Sequence, residues 1–393
     1  MSRRQTRRRY LATLGAVAVA GCGRPSEPTQ ADQPAIPADI GGWPTFGYDA
    51  ANTGTAPGET GPTTGVIVYW TFDTGGQVFS SPAVVDGSVY VGSNDETLYS
   101  LSAADGTEQW RFGTDGLVRS SPTVASGTVY ATSFDGFLYA LSASDGSLEW
   151  AFQAGATNNP LRDSVPIAAS PTVVDGTVYV ATTDGRLVAV SAVDGTEQWR
   201  AEIGGEIRTT PAVVDGTVYV GATGDSVVAL AATDGTERWQ TEIGDTATAA
   251  AAVADGTVYV GTDGGDAVAL AASDGSEQWR FGTTGAVVAS PAVADGSVYV
   301  GSEDHTVTAV SAADGTGLWT FETGNSITAA PTVVDGNVYV ASTDNRLYIL
   351  STAEGARQWE LPVGGALTSS PAVVDGVVCT ASVNGSIYGL AAF

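Results

Sequence analysis

From Val66 to the C-terminus, short runs of Val, Tyr, Leu and Ile alternate with small or polar residues at a period of two, interrupted at regular steps by Asp-Gly or Ser-Gly. The stretch "SSPAVVDGSVYVGSNDETLYSLSAADGTEQWRF", Ser80 to Phe112, is representative. Period two is the spacing of a strand with two different faces, and no part of the repeat has helical spacing. In this first copy the pattern predicts an inner strand over 78–85, a second over 88–92, a third over 97–103 and a fourth around Trp110. Asp86-Gly87, between the first two, is a strong hairpin signal because both residues tolerate the positive φ of a type I′ turn. Equivalent turns fall at Asp175, Asp215, Asp255, Asp295, Asp335 and Asp375, with Ser126-Gly127 as the variant, so eight inner hairpins are predicted.

Tryptophan sets the register of the copies: Trp70, Trp110, Trp150, Trp199, Trp239, Trp279, Trp319 and Trp359. Six of the seven intervals are 40 residues and one is 49. Such a period suits a four-stranded propeller blade. The last copy stops at "GSIYGLAAF" after its third strand, whereas "VIVYWTF", Val66 to Phe72, precedes any hairpin. Each end supplies the strand that the other lacks. The expected fold class is therefore all-β: an eight-bladed β-propeller of four-stranded antiparallel blades over residues 42–393, closed by the N-terminal strand completing the last blade.

Charge narrows the partners. The chain has 43 acidic and 16 basic residues, a formal net charge of -27, and every basic residue is Arg. Nucleic acid is excluded as a partner, since phosphate binding needs a basic face. Self-repulsion on this scale is screened where the Debye length falls to about 3 Å, at roughly 1 M salt, so the composition is that of a salt-adapted protein. Disorder is ruled out by 43% hydrophobic content.

The first residues give an address. "MSRRQTRRRYLATLGAVAVAGCG" has five Arg, then an apolar run from Leu11 to Ala20, then small residues, the layout of an export signal. That run is shorter than the ~20 residues needed to span a bilayer. "TRRRYL", Thr6 to Leu11, resembles the twin-arginine export motif, and "VAGC", Val19 to Cys22, resembles a lipobox, with cleavage before Cys22 and lipidation of its thiol. Residues 1–21 are therefore expected to be a signal peptide, and 22–41, with Pro25, Pro28, Pro34 and Pro37, a tether to the folded body. Cys379 is the only other cysteine, so a lipidated Cys22 leaves no disulfide. The implied location is the outer face of the cell membrane.

The recurrent phrases "L-S-A-x-D-G-x-x-x-W" and "S-P-x-V-x-D-G-x-V-Y-V" resemble the pyrroloquinoline-quinone (PQQ) repeat family over residues 43–393. "GWPTFGYDAANTG", Gly42 to Gly54, resembles the lead-in segment of propeller lipoproteins of the BamB-like kind. The resemblance to quinoprotein dehydrogenases implies PQQ with calcium, held by Glu, Asn and a catalytic Asp, often under a disulfide between adjacent cysteines. This sequence has no adjacent cysteines, and none of its acids can be matched to the calcium set. No cofactor, metal site or catalytic residue is assigned on that basis. His305, the single histidine, lies in the turn "SEDHTV" and is read as solvated; "TDGGD" at 262–266 has no calcium-loop spacing. Cys379 stands where other copies have Tyr, as at Tyr339, and is read as a buried strand residue.

Arginine offers the remaining chemistry. The 49-residue interval contains the insertion "GATNNPLRDSVPIAAS", Gly155 to Ser170. Its Arg162 and the Arg186 of "TDGRL" fall on the face that carries blade connections, while Arg119 and Arg208 begin the inner strands of flanking blades. These four form a candidate funnel for an anionic group, which Arg grips with two parallel hydrogen bonds; ion pairing with local acids is the competing account. The function expected is that of a monomeric binding or scaffolding lipoprotein, with envelope proteins or an anionic small ligand as partner. A PQQ-dependent oxidoreductase and a sensor or carbohydrate-binding module are the alternatives.

Overall fold

The structure, a computed structural model, describes residues 40, 42–155, 166–222 and 224–393. The export signal, Cys22, the tether up to residue 39 and Arg162 lie outside the described residues. The chain divides into Met1–Pro34 and Ala35–Phe393, and the fold is that of the second unit.

Thirty-two strands form eight four-stranded antiparallel sheets, with no helix among the described residues. The opening strand β1 (Val66–Asp73) is followed by blade 1: β2 (Ala83–Val85), β3 (Ser88–Ser93), β4 (Thr97–Ser102) and β5 (Glu108–Gly113). Blades 2 to 7 repeat that order over 123–153, 172–202, 212–242, 252–282, 292–322 and 332–362. Blade 8 takes three strands from 372–392 and its fourth from β1, with Trp70 opposite Gly389. The inner strands neighbour one another all round, blade 8 against blade 1 included, so the ring is an eight-bladed propeller closed as the chain ends predicted.

All eight inner hairpins turn as the Asp-Gly signal requires, the first turn residue having φ of 47–52° and the Gly 68–81°. The inner strand is shorter than the 78–85 expected, and the reason lies in its polar groups. Pro82 has no N–H for a ladder, and the Ser81 N–H donates to Ser121 Oγ of the next blade (2.9 Å) rather than within its own. Phe79 and Ser81 line the channel mouth, and regular pairing starts at Ala83. Each outer pairing also carries a one-residue bulge beside its Trp, as where Gln109 is skipped between Leu101↔Glu108 and Ser100↔Trp110.

The apolar core lies between blades. Ala83, Tyr90, Leu98 and Trp110 of blade 1, for example, pack with Val124, Val129 and Leu141 of blade 2. Each outer Trp sits at such a junction: Trp70 Nε1 donates to Ala103 O of the next blade (2.8 Å), and Trp110 Nε1 to Ala143 O (2.9 Å). At the junction of blades 7 and 8 the acceptor is Val66 O (3.2 Å) in the N-terminal strand.

The lead-in segment forms a strap across the inner strands. Carbonyls of Trp43, Pro44, Ala50, Ala51, Thr53 and Gly54 accept the N–H groups of Val84, Val124, Val213, Val253, Val293 and Val333, at 2.7–2.9 Å. These are the central residues of six inner strands, whose free edges would otherwise be unpaired. Asn52, 2% exposed, adds Nδ2 contacts to carbonyls that include Ala251 O (3.1 Å). Asp49 caps the turn by accepting from Ala51 N, Thr53 N and Thr53 Oγ1.

Candidate functional site

Where the chain enters each inner strand, equivalent residues meet round the channel. One level is Ser81, Ser121, Ser170 and Thr210 in blades 1–4, and Ala250, Ser290, Ala330 and Ser370 in blades 5–8; all of them line a cavity of about 180 Å³. Seven of the eight precede Pro, which is why the inner strand begins just beyond them. Five hydroxyls take a backbone N–H from the preceding blade: Ser81 N to Ser121 Oγ, Ser121 N to Ser170 Oγ, Ala250 N to Ser290 Oγ, Ala330 N to Ser370 Oγ and Ser370 N to Ser81 Oγ, at 2.8–3.0 Å. Each accepts, so each keeps its own O–H to donate.

Two residues earlier in each blade is a second level with the opposite character from place to place. It includes Phe79, Arg119, Arg208, Thr248, Val288, Thr328 and Thr368, and Phe46 of the strap joins the lining. In a chain with 43 acidic residues, no Asp or Glu among the described residues lines this cavity. The Oγ1 atoms of Thr328 and Thr368 are buried without a hydrogen-bond partner among the described residues. An orphaned buried hydroxyl costs about 1–3 kcal/mol, and neither Oγ1 is accessible from the cavity.

The four arginines singled out from sequence are placed differently. Arg119 and Arg208 both line the cavity, from blades 2 and 4. The Arg119 guanidinium packs against the rings of Phe79 (5.0 Å) and Phe134 (5.2 Å), its Nε donates to Asn94 Oδ1 (3.0 Å), and it makes no ion pair among the described residues. Arg208 binds Glu206 Oε2 through Nε (3.0 Å) and a terminal nitrogen (2.7 Å), both partners well exposed. Such a surface pair is worth under about 1 kcal/mol and opens readily. Arg186 is held by Asp184 (2.7 Å) and Glu202 (3.6 Å) and is not among the cavity residues. Arg162 lies outside the described residues. The ring hydroxyls, Phe46 and the two unpartnered Thr were missed in the sequence. The only signal for them was the variable residue before each inner-strand Pro.

Other candidates resolve into structure. His305 is half-buried in a turn at φ 76°, where Glu96 and Asn345 have the same left-handed backbone. Asp266 pairs with Arg280 (2.7 Å), and Asp304 accepts from Thr284 N and Thr306 N, bonds that hold its carboxyl below the usual range against the effect of burial. No cluster of three or more metal-binding side chains occurs among the described residues. Cys379 is 1% exposed opposite Ala372 and Gly389, and burial pushes its thiol up to about 12.

PQQ with calcium is a poor match to this mouth. Calcium takes six to eight oxygen ligands, carboxylates chief among them, and the lining offers hydroxyls and guanidinium groups but no Asp, Glu or Asn among the described residues.

Blade number, closure and repeat thus define an eight-bladed propeller built from a single repeated unit. The chain belongs to the PQQ-repeat family described as outer membrane protein assembly factor BamB, whose model matches residues 60–170, 162–251 and 224–393. Among solved structures it is similar to BamB from Moraxella catarrhalis (15% identity, 83% of this chain and 99% of that one, TM-score 0.70). It is similar also to quinohemoprotein alcohol dehydrogenase from Comamonas testosteroni (16%, 89% and 80%, TM-score 0.77) and to a europium-containing methanol dehydrogenase (13%, 89% and 98%, TM-score 0.79). At these identities the likeness is one of fold. No curated protein matches the chain.

Proposed function

We propose that this protein is a non-catalytic binding propeller of the cell envelope, held at the outer face of the membrane by a lipid on Cys22, which presents its rim to envelope proteins and its channel mouth to an anionic group. The family description supports the envelope assignment. The observation that carries the binding reading is the composition of the mouth: two Arg, a ring of hydroxyls and no lining acid among the described residues, in a chain of net charge -27. Arg119 and Arg208 are the receiving residues, and Arg162 and Arg186 are assigned to the outer rim of the same funnel. Guanidinium groups favour carboxylate and phosphate oxygens by charge-assisted pairs.

Capture of membrane proteins on the immobilised chain in high salt tests the scaffold role. Recovery of a defined envelope protein is expected; its absence from the bound fraction overturns that role. Absorbance with added PQQ and calcium tests the dehydrogenase alternative. A saturable shift near micromolar quinone would displace the non-catalytic reading.

A further inference from the structure

We infer that the channel mouth is a site for a small organic carboxylate. This rests on the anionic-site reading above and names its ligand class. Three observations converge on it.

The donors are arranged round a closed circle. Ring hydroxyls that accept a backbone N–H still have an O–H to donate, so the wall can donate to the oxygens of an acceptor-rich ligand. The carboxylate of Glu206 at this mouth is already paired with Arg208 (2.7 Å). Arg119 is set to grip end-on: its Nε is occupied by Asn94, and packing against Phe79 and Phe134 restricts its plane, leaving the terminal nitrogens as a fork. A planar carboxylate can take the fork of Arg119 on one side and the O–H groups of the ring serines on the other. Phe46, Phe79 and Val288 give its carbon body an apolar surface that phosphate cannot use.

The test is calorimetric titration of the purified chain with succinate and with benzoate, alongside phosphate, glucose and trimethylammonium. At least one carboxylate is expected to bind with a Kd below about 1 mM, while glucose and trimethylammonium give no heat. Arg119→Gln and Arg208→Gln each weaken binding by about tenfold or more, as loss of a charge-assisted pair requires. Arg119→Lys keeps the charge but loses the fork, and falls between wild type and Arg119→Gln. Circular dichroism of each variant shows whether it is folded. Phosphate binding that is lost in the Arg variants, with no carboxylate binding, overturns the carboxylate assignment and leaves the anionic mouth standing. No binding of any anion at about 10 mM, or carboxylate binding unchanged in both Arg→Gln variants, overturns both.

Discussion

At the scale of single residues, the repeated "ADG" and "W" are two halves of one joint. Gly106 has φ 71°, and a Cβ there would come within 2.6 Å of the Trp70 ring; Gly146, Gly195 and Gly235 stand in the same relation to Trp110, Trp150 and Trp199. The glycine is needed both for its backbone and for the room it leaves. Gly106→Ala is therefore expected to lower stability by about 1–3 kcal/mol in denaturant titration, through overpacking and a left-handed backbone together. Cys379 should stay unmodified by thiol reagents at pH 8 until the chain is unfolded, because burial holds the thiol protonated up to about 12. Tyr99 gives a pH dependence. Burial, and then its bond to Asp95, raise its phenol to about 12 from 10.0, so the folded state holds the proton more tightly than the unfolded chain. That contribution is complete below pH ~10 and is lost as pH rises through about 12, so wild type should shed stability over that window that Tyr99→Phe does not. The Asp-Gly pairs, the Trp register and the strand character of Cys379 could all be read from sequence, since each recurs or fills a recurring place. The unpartnered hydroxyls of Thr328 and Thr368 could not, because whether a threonine is partnered depends on neighbours in other blades.

At the scale of the strand and the turn, a residue tolerant of left-handed backbone recurs where each inner hairpin reverses, and Ser126 is the poorest choice among the eight. Ser126→Asn should raise stability by about 0.5 kcal/mol without change in fold, measured by denaturant midpoint against wild type. The extents of the second and third strands were legible to within a residue, since alternation stops where the turn begins. The inner strand was overestimated because apolar period two continues through residues whose hydrogen bonds go to the next blade. The bulge beside each Trp left no trace in the pattern: an extra residue such as Gln109 looks like one more polar position on an exposed strand.

At the scale of the whole molecule, ring closure and strap both come from residues ahead of the first blade. A chain beginning at residue 75 lacks strap and β1, and exposes the edge of Ser386–Ala392; it should self-associate in sedimentation, whereas a chain beginning at residue 61 keeps β1 and should stay monomeric but melt lower. Closure was legible from the complementary ends of the chain. The strap was not, because "GWPTFGYDAANTG" occurs once and its bonds are made by carbonyls, which no side-chain pattern reports. Its position along the chain has a mechanical meaning. A pull arriving from the N-terminal side meets Ile40 and Trp43 on blade 1 first, then a succession of blades held through Pro44, Ala50, Ala51, Thr53 and Gly54, before it reaches Val66. The strap thus works as a strain relief, spreading a tug over the body of the ring so that the strand closing it is the last part to feel the load.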